Sequence, residues 1–264
     1  MTSEVLIVED RGPIRVITLN RPERGNSLDA RLGKALLETV RETAHSHSVR
    51  AVLLTGAGRS FCSGDDIAGV LALTGAEDLS AAAADESGQF YYPLICSALR
   101  AAPQPVVAAI NGTVAGAGLE IACAADLRLC SDTARFGVKV LSIGHAGCAA
   151  LLPRVIGWPR ATELFLTSRW MDAAETHRIG LVSSVHAETE LVPHALALAA
   201  DLARSATGAI GCYKSFRAQT EHQSADQAVL SQQQLHETVL ANVDVASEGP
   251  RARIERRQPR FTGR

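Results

Sequence analysis

Two glycine-rich turns carry the residues of this chain best suited to chemistry. The first is Val114-Ala115-Gly116-Ala117-Gly118-Leu119-Glu120, which follows the apolar run Pro105 to Asn111. A strand, a small-residue turn and an apolar helix leave unpaired backbone N–H groups at a helix start. Such a terminus stabilises negative charge, including the oxyanion of a reacting carbonyl. The lack of bulky side chains lets a ligand approach the backbone. Glu120 falls in the first helical turn beside that site, where a carboxylate can serve as an acid or base or simply satisfy the helix dipole. A turn of this kind also serves to pack a helix on a sheet. The second turn follows Ala51-Val52-Leu53-Leu54-Thr55, ends that run with Gly56-Ala57-Gly58, and continues as Arg59-Ser60-Phe61-Cys62-Ser63-Gly64-Asp65-Asp66-Ile67.

The elements that must position these turns are legible from period and punctuation. Val5 to Val8 and Ile14 to Leu19 read as strands around Arg11-Gly12-Pro13. Leu28, Leu32, Leu36 and Val40 recur every four residues, so the spacing predicts an amphipathic helix from Leu28 to about Ala44, capped by Ser27 or Asn26. Gly69 to Ala102 is Ala-rich and mostly helical in pattern, with a loop near Gly75, and Leu127 to Cys130 is a further strand. Strands alternating with helices predict an α/β chain with a largely parallel sheet. After Pro159 the pattern turns helical: Ala161 to Thr167, Ala173 to Ile179, Leu191 to Arg204 and Ser224 to Asn242. No internal repeat and no Pro/Gly/Ser linker divides the chain.

At 264 residues, 47% hydrophobic and 20% charged, the chain can bury a substantial core. The net charge of −2 and the lack of a long basic stripe argue against a nucleic-acid partner. The Arg-rich tail from Arg251 to Arg264 reads as a solvated helix end. No apolar stretch reaches membrane-spanning length, and Thr2-Ser3-Glu4 leads straight into a strand-like run, so no secretory signal is expected. The six cysteines have neither metal-site spacing nor a small-secreted-protein framework, so reduced thiols in a cytoplasmic protein are expected. Cys62 sits in the second turn, but its neighbours Asp65 and Asp66 would not activate a thiol. The histidines His45, His47, His177, His186, His194, His222 and His236 are scattered, and no metal site is expected.

Taken together, Asn20 to Leu28, Phe61 to Ile67, Gly116 to Glu120, Leu152-Pro153-Arg154-Val155-Ile156-Gly157, Ile179-Gly180-Leu181-Val182 and the tail from Glu248 to Phe261 resemble the crotonase superfamily, the enoyl-CoA hydratases and isomerases, over nearly the whole chain. The resemblance implies a spiral of ββα units, placed here in residues 1–195, followed by a helical C-terminal oligomerisation region in 196–264. It implies an enzyme that forms a homotrimer or a dimer of trimers. Its ligand would be an acyl-CoA thioester, with coenzyme A part of the substrate and no separate cofactor. The oxyanion hole would be the backbone N–H groups of Asp65 and Ala117. Arg24, Ser63, Gly64, Asp66, Ile67, Gly116 and Gly118 would contact the coenzyme A portion, and Lys214 and the tail arginines its phosphates. Glu120 matches the first of the two glutamates of the hydratases. The second would fall in a Phe-Gly-x-Pro-Glu stretch, where this chain has Phe136-Gly137-Val138-Lys139-Val140. Val140 cannot transfer a proton, which favours a one-base reaction such as double-bond isomerisation over two-base hydration. His145, in a shortened loop, falls where some relatives place a catalytic aspartate, and an imidazole there can exchange protons near neutral pH. It can equally cap the next helix. A non-catalytic acyl-CoA binder and a thioester hydrolase remain rival readings.

Overall fold

The computed structural model describes residues 5–67, 89–241 and 243–262. Its strands are β1 (Leu6–Arg11), β2 (Ile14–Leu19), β3 (Ala51–Gly56), β4 (Ser60–Cys62), β5 (Val106–Ile110), β6 (Thr113–Ala115), β7 (Leu127–Ser131), β8 (Arg135–Gly137), β9 (Trp170–Asp172) and β10 (Ser184–His186). Its helices are α1 (Ala30–Ala44), α2 (Tyr91–Ala101), α3 (Ala117–Ala124), α4 (Leu152–Ile156), α5 (Trp158–Thr167), α6 (Ala173–Arg178), α7 (Glu188–Arg204), α8 (Thr207–Thr220), α9 (Ala225–Ala241) and α10 (Val243–Ile254). Much of the helical run expected from Gly69 lies outside the described residues; its end is α2.

The strands form a six-stranded sheet in the order β1-β2-β3-β5-β7-β10 and a four-stranded sheet in the order β4-β6-β8-β9. The pairs β3/β4, β5/β6 and β7/β8 each give one strand to each sheet, so β3-β5-β7 and β4-β6-β8 run in the same order. This is the expected spiral of ββα units. Pairing is parallel except at β1/β2 and β8/β9. The central strands are apolar on both sides because both faces are covered. Val52 and Leu54 of β3, with Val106, Ala108 and Ile110 of β5, join α1, α2 and α3 in the main core. Ala51, Leu53, Val107 and Ala109 face the other way, onto Leu191, Ala195, Ala199 and Ala203 of α7. Those four repeat every four residues, the spacing that puts a stripe on one helix face.

Two expectations, on the α1 cap and on Lys214, are corrected. Helix α1 is capped by Asp29, whose side chain accepts from the Leu32 N–H at 2.8 Å, and not by Ser27 or Asn26. Asn26 instead is buried in a left-handed conformation. Its amide accepts from Arg21 N–H and donates to the carbonyls of Ala57 and Ser60, stitching the turn between β3 and β4. The division at 195/196 falls inside α7, which packs on the sheet along its length. Lys214 does not reach outward toward a phosphate: its ammonium is buried against Asp126 at 2.7 Å and the carbonyls of Leu99 and Gln104, tying α8 to the start of β7. Among the described residues no helix is long and apolar enough to cross a membrane.

Candidate active site

The two turns singled out in the sequence are neighbours because of strand pairing. β4 and β6 run parallel with Cys62 beside Val114, so both strands exit at the same edge. The β4 exit is Ser63-Gly64-Asp65; the β6 exit is Gly116 followed by the first turn of α3. Gly64 has φ +102° and Gly116 φ +52°, backbone conformations that favour glycine. A Cβ on Gly64 would lie 3.2 Å from the Ala115 carbonyl oxygen, and one on Gly116 would lie 3.9 Å from the Gly64 Cα. Two bare backbones therefore approach each other, and their positive φ values strain any larger residue there. β8 pairs with β6, and Gly116 N–H donates to the Gly137 carbonyl at 3.2 Å, so the β8 exit carrying Lys139 and Val140 comes next.

These exits, with the loop Ser142 to Cys148 and residues Phe90 and Tyr92 at the start of α2, surround a cavity of about 240 Å³. Ser63, Gly64, Asp65, Ile67, Gly116, Ala117, Val140 and His145 all line it. Leu28 fixes the β4 exit from behind: its N–H donates to the Gly64 carbonyl at 2.8 Å, and Asp66 N–H donates to the Leu28 carbonyl at 2.8 Å. That bridge leaves the intervening Asp65 N–H out. Ala117 opens α3, where no preceding helical carbonyl exists to accept its N–H. Among the described residues, neither the Asp65 N–H nor the Ala117 N–H donates to a protein acceptor. Two donors facing one cavity are what a developing oxyanion requires.

Glu120 is 3% exposed and is not among the residues lining the cavity. Its carboxylate accepts from Ala150 N–H at 3.2 Å and Leu151 N–H at 3.1 Å, just ahead of α4. Burial pushes its pKa up, while those two N–H groups and Arg154 pull it down. Tyr92 and Cys148, both on the cavity wall, feel its charge.

Other expected residues take other places. Asp66 is buried and turned away, with its carboxylate 2.8 Å from the Arg21 guanidinium. Gly118 packs against the Cys62 backbone and not against the cavity. Arg24 is exposed beside Ser63, whose hydroxyl donates to the Arg24 carbonyl at 3.4 Å, outside the cavity wall. Lys139 lines the cavity, yet its ammonium donates to the Ser168 carbonyl and sits over the Trp170 ring. The Cys62 thiol is buried and pushed up to about 12, consistent with an inert packing residue. Among the described residues no group of His, Cys, Asp or Glu is placed to hold a metal ion.

The sequence reading passed over Tyr92, the Asp65 carboxyl and Arg21. Tyr92 had no signal beyond its aromaticity. The doubled acid Asp65-Asp66 was a signal: consecutive residues of an extended segment point opposite ways, so one of the two had to face the ligand side.

A family model described as enoyl-CoA hydratase/isomerase matches residues 9–264. A Mycobacterium bovis protein named "Probable enoyl-CoA hydratase echA8" is 32% identical over 267 residues, covering 100% of both chains. A 1,2-epoxyphenylacetyl-CoA isomerase of Escherichia coli is 32% identical over 256 residues, covering 95% of each. The crystal structure of an enoyl-CoA hydratase from Bacillus anthracis superposes with a TM-score of 0.88 at 28% identity, covering 98% of this chain and 100% of that one.

Proposed function

The chain belongs to the enoyl-CoA hydratase/isomerase family, and from that premise we propose that it moves a double bond in an enoyl-CoA thioester. The thioester oxygen rests on the N–H groups of Asp65 and Ala117. A base removes a proton next to the acyl chain's double bond, the C–H electron pair passes into an enolate on that oxygen, and a proton is delivered at another carbon. The observation that carries this reading is the pair of unengaged N–H groups at the adjacent exits of β4 and β6. One such donor is worth about 3 kcal/mol to an oxyanionic transition state. Glu120, three residues beyond Ala117 on the same helix face, is the base. Burial raises its pKa and so strengthens it as a base.

Isomerisation is preferred to hydration because Val140 stands where a second carboxylate would be needed. The isomerase among the relatives supports the same choice. Ser63, Gly64, Ile67 and Gly116 border the thioester and the adjoining part of coenzyme A, with exposed Arg24 near its phosphates; no other cofactor is required. The protein works as a homotrimer or dimer of trimers in the cytoplasm. The chief rival is an acyl-CoA binder without chemistry, favoured by the double tether that holds Glu120 to Ala150 and Leu151.

The test is mass spectrometry of 2-enoyl- and 3-enoyl-CoA thioesters after incubation in D₂O. The expected result is double-bond movement with deuterium uptake, abolished in Glu120→Gln while thioester binding persists. Addition of heavy water would assign hydration instead. Recovery of every thioester unchanged, against an active control enzyme, would favour the binder, and hydrolysis to free coenzyme A would assign the thioesterase reading.

A further inference from the structure

Resting on the reading that this cavity takes an enoyl-CoA thioester, we infer that the carboxyl of Asp65 and the imidazole of His145 form an acid/base couple that delivers a proton to the far end of the shifted double bond.

An oxyanion hole asks only for the backbone of Asp65, and alanine would supply it. The side chain is therefore a cost without a structural return. Its Oδ1 is buried with no hydrogen-bond partner among the described residues, an uncommon state for a carboxylate. The neighbouring Asp66 pairs with the Arg21 guanidinium. Asp65 faces the cavity, and its Cβ is two bonds from the nitrogen that holds the thioester oxygen. The next substrate atoms along the acyl chain are those whose protons must move.

The groups facing this carboxyl come from four segments. His145, in the loop beyond β8, is the cation whose charge it feels. Tyr92 on α2, Cys148 in the same loop as His145 and Cys62 on β4 are weak acids that feel its charge. Lys139 borders the same cavity, with its ammonium occupied by the Ser168 carbonyl. Asp65 and His145 line the same cavity and, among the described residues, form no direct ion pair. His145 is exposed, which opens the couple to solvent protons.

The step balances as a proton relay. Glu120 takes a proton from one carbon, and the C–H electrons pass through the enolate. As the enolate collapses, the protonated couple gives its proton to the carbon at the other end of the shifted double bond. Glu120 is left protonated and the couple one proton short. Exchange with water through His145 and release of the Glu120 proton reset the site, and no other atom is gained or lost.

The test compares wild type, Asp65→Asn, Asp65→Ala and His145→Gln on a 3-enoyl-CoA in D₂O; every variant keeps the backbone N–H at position 65. The expected result is solvent deuterium in each wild-type product, and kcat lowered by about 100-fold or more in each variant with KM within about threefold. The limb of the kcat profile near pH 6 is lost in Asp65→Asn, because the amide does not titrate. The Asp65→Asn/His145→Gln double variant is no slower than the slower single one. An active wild type with Asp65→Asn and Asp65→Ala within about twofold of it, and an unmoved pH limb, would overturn the couple alone. A wild type inert toward every enoyl-CoA would overturn the underlying reading and the couple with it.

Discussion

At the scale of single residues, the site is built by accepting local costs. Gly64 and Gly116 hold conformations that L side chains rarely adopt, and they do so where two strand exits meet. Gly64→Ala should therefore cost about 1–3 kcal/mol of stability through backbone strain. It should also lower kcat by more than it raises KM, because the displaced group is the Asp65 donor; steady-state kinetics and a denaturant titration would check both, and unchanged kinetics would separate the glycine from the chemistry. Asp65 carries a second cost. Burial pushes its carboxyl up to about 6 from an ordinary 3.8, with the charge of His145 opposing the rise. A raised acid pKa means that the folded state holds the proton more tightly than the unfolded chain. Stability is then complete below the ordinary value and is lost as pH rises through about 6. Asp65→Asn removes that loss, so it should stabilise the protein by about 2 kcal/mol above neutrality, after allowance for partial exposure, and by progressively less on acidification. Urea titrations at ~pH 8 and ~pH 5 would show it. An equal effect at both would mean that the carboxyl is ordinary.

At the scale of elements, the site depends on one clamp. Arg21, in the turn after β2, donates to the Ser27 carbonyl at 2.6 Å and to Asp66 at 2.8 Å, and lies 3.4 Å from Asp29, the cap of α1. It thus binds the start of α1 to the β4 exit that presents the Asp65 N–H. Arg21→Met takes the guanidinium from a buried carboxylate, so it should cost about 3 kcal/mol or more. Arg21→Met/Asp66→Leu should recover most of that loss in a denaturant titration without restoring kcat; full recovery of both would make the pair dispensable to the site. This contact explains what the sequence could and could not reveal. β2 and the body of α1 were readable because one apolar face repeats at a fixed period. The cap was misplaced to Ser27 or Asn26 because three candidate capping residues stand within four positions, and only the contacts of Asn26 with Ala57 and Ser60 remove it from the choice. The three-residue strands β6, β8 and β9 are too short to show alternation. The backbone donors of the site were legible because glycine-rich turns advertise them. The Arg21–Asp66 clamp was not, because strand pairing, not sequence proximity, brings those residues together.

At the scale of the whole molecule, the C-terminal helices are not explained by one chain. No residue of the seventeen-residue α9 is buried. Val229 and Leu230 are 63% and 78% exposed, and Ile254 at the end of α10 is 82% exposed. A helix with no buried face gains little from packing, and most helical stability in proteins comes from such packing. Here α9 leans on α8 and α10 with Leu235 and Val239 half-buried, while Val229, Leu230 and Leu240 stand in water. Neighbouring exposed apolar side chains of this kind mark a surface that is covered in use. The proposed trimer would supply a cover, which would make assembly a condition for the helices and not an addition to a finished monomer. Light scattering at micromolar concentration should give three or six times the chain mass. Val229→Glu/Leu230→Glu should shift it toward one chain and lower the helical circular dichroism signal, because uncovered α9 then frays. A wild type that scatters as a monomer with its full helical signal would show that α9 stands without partners. A double variant that stays trimeric would move the interface to the other exposed apolar side chains, among them Trp158 and Leu166 on α5.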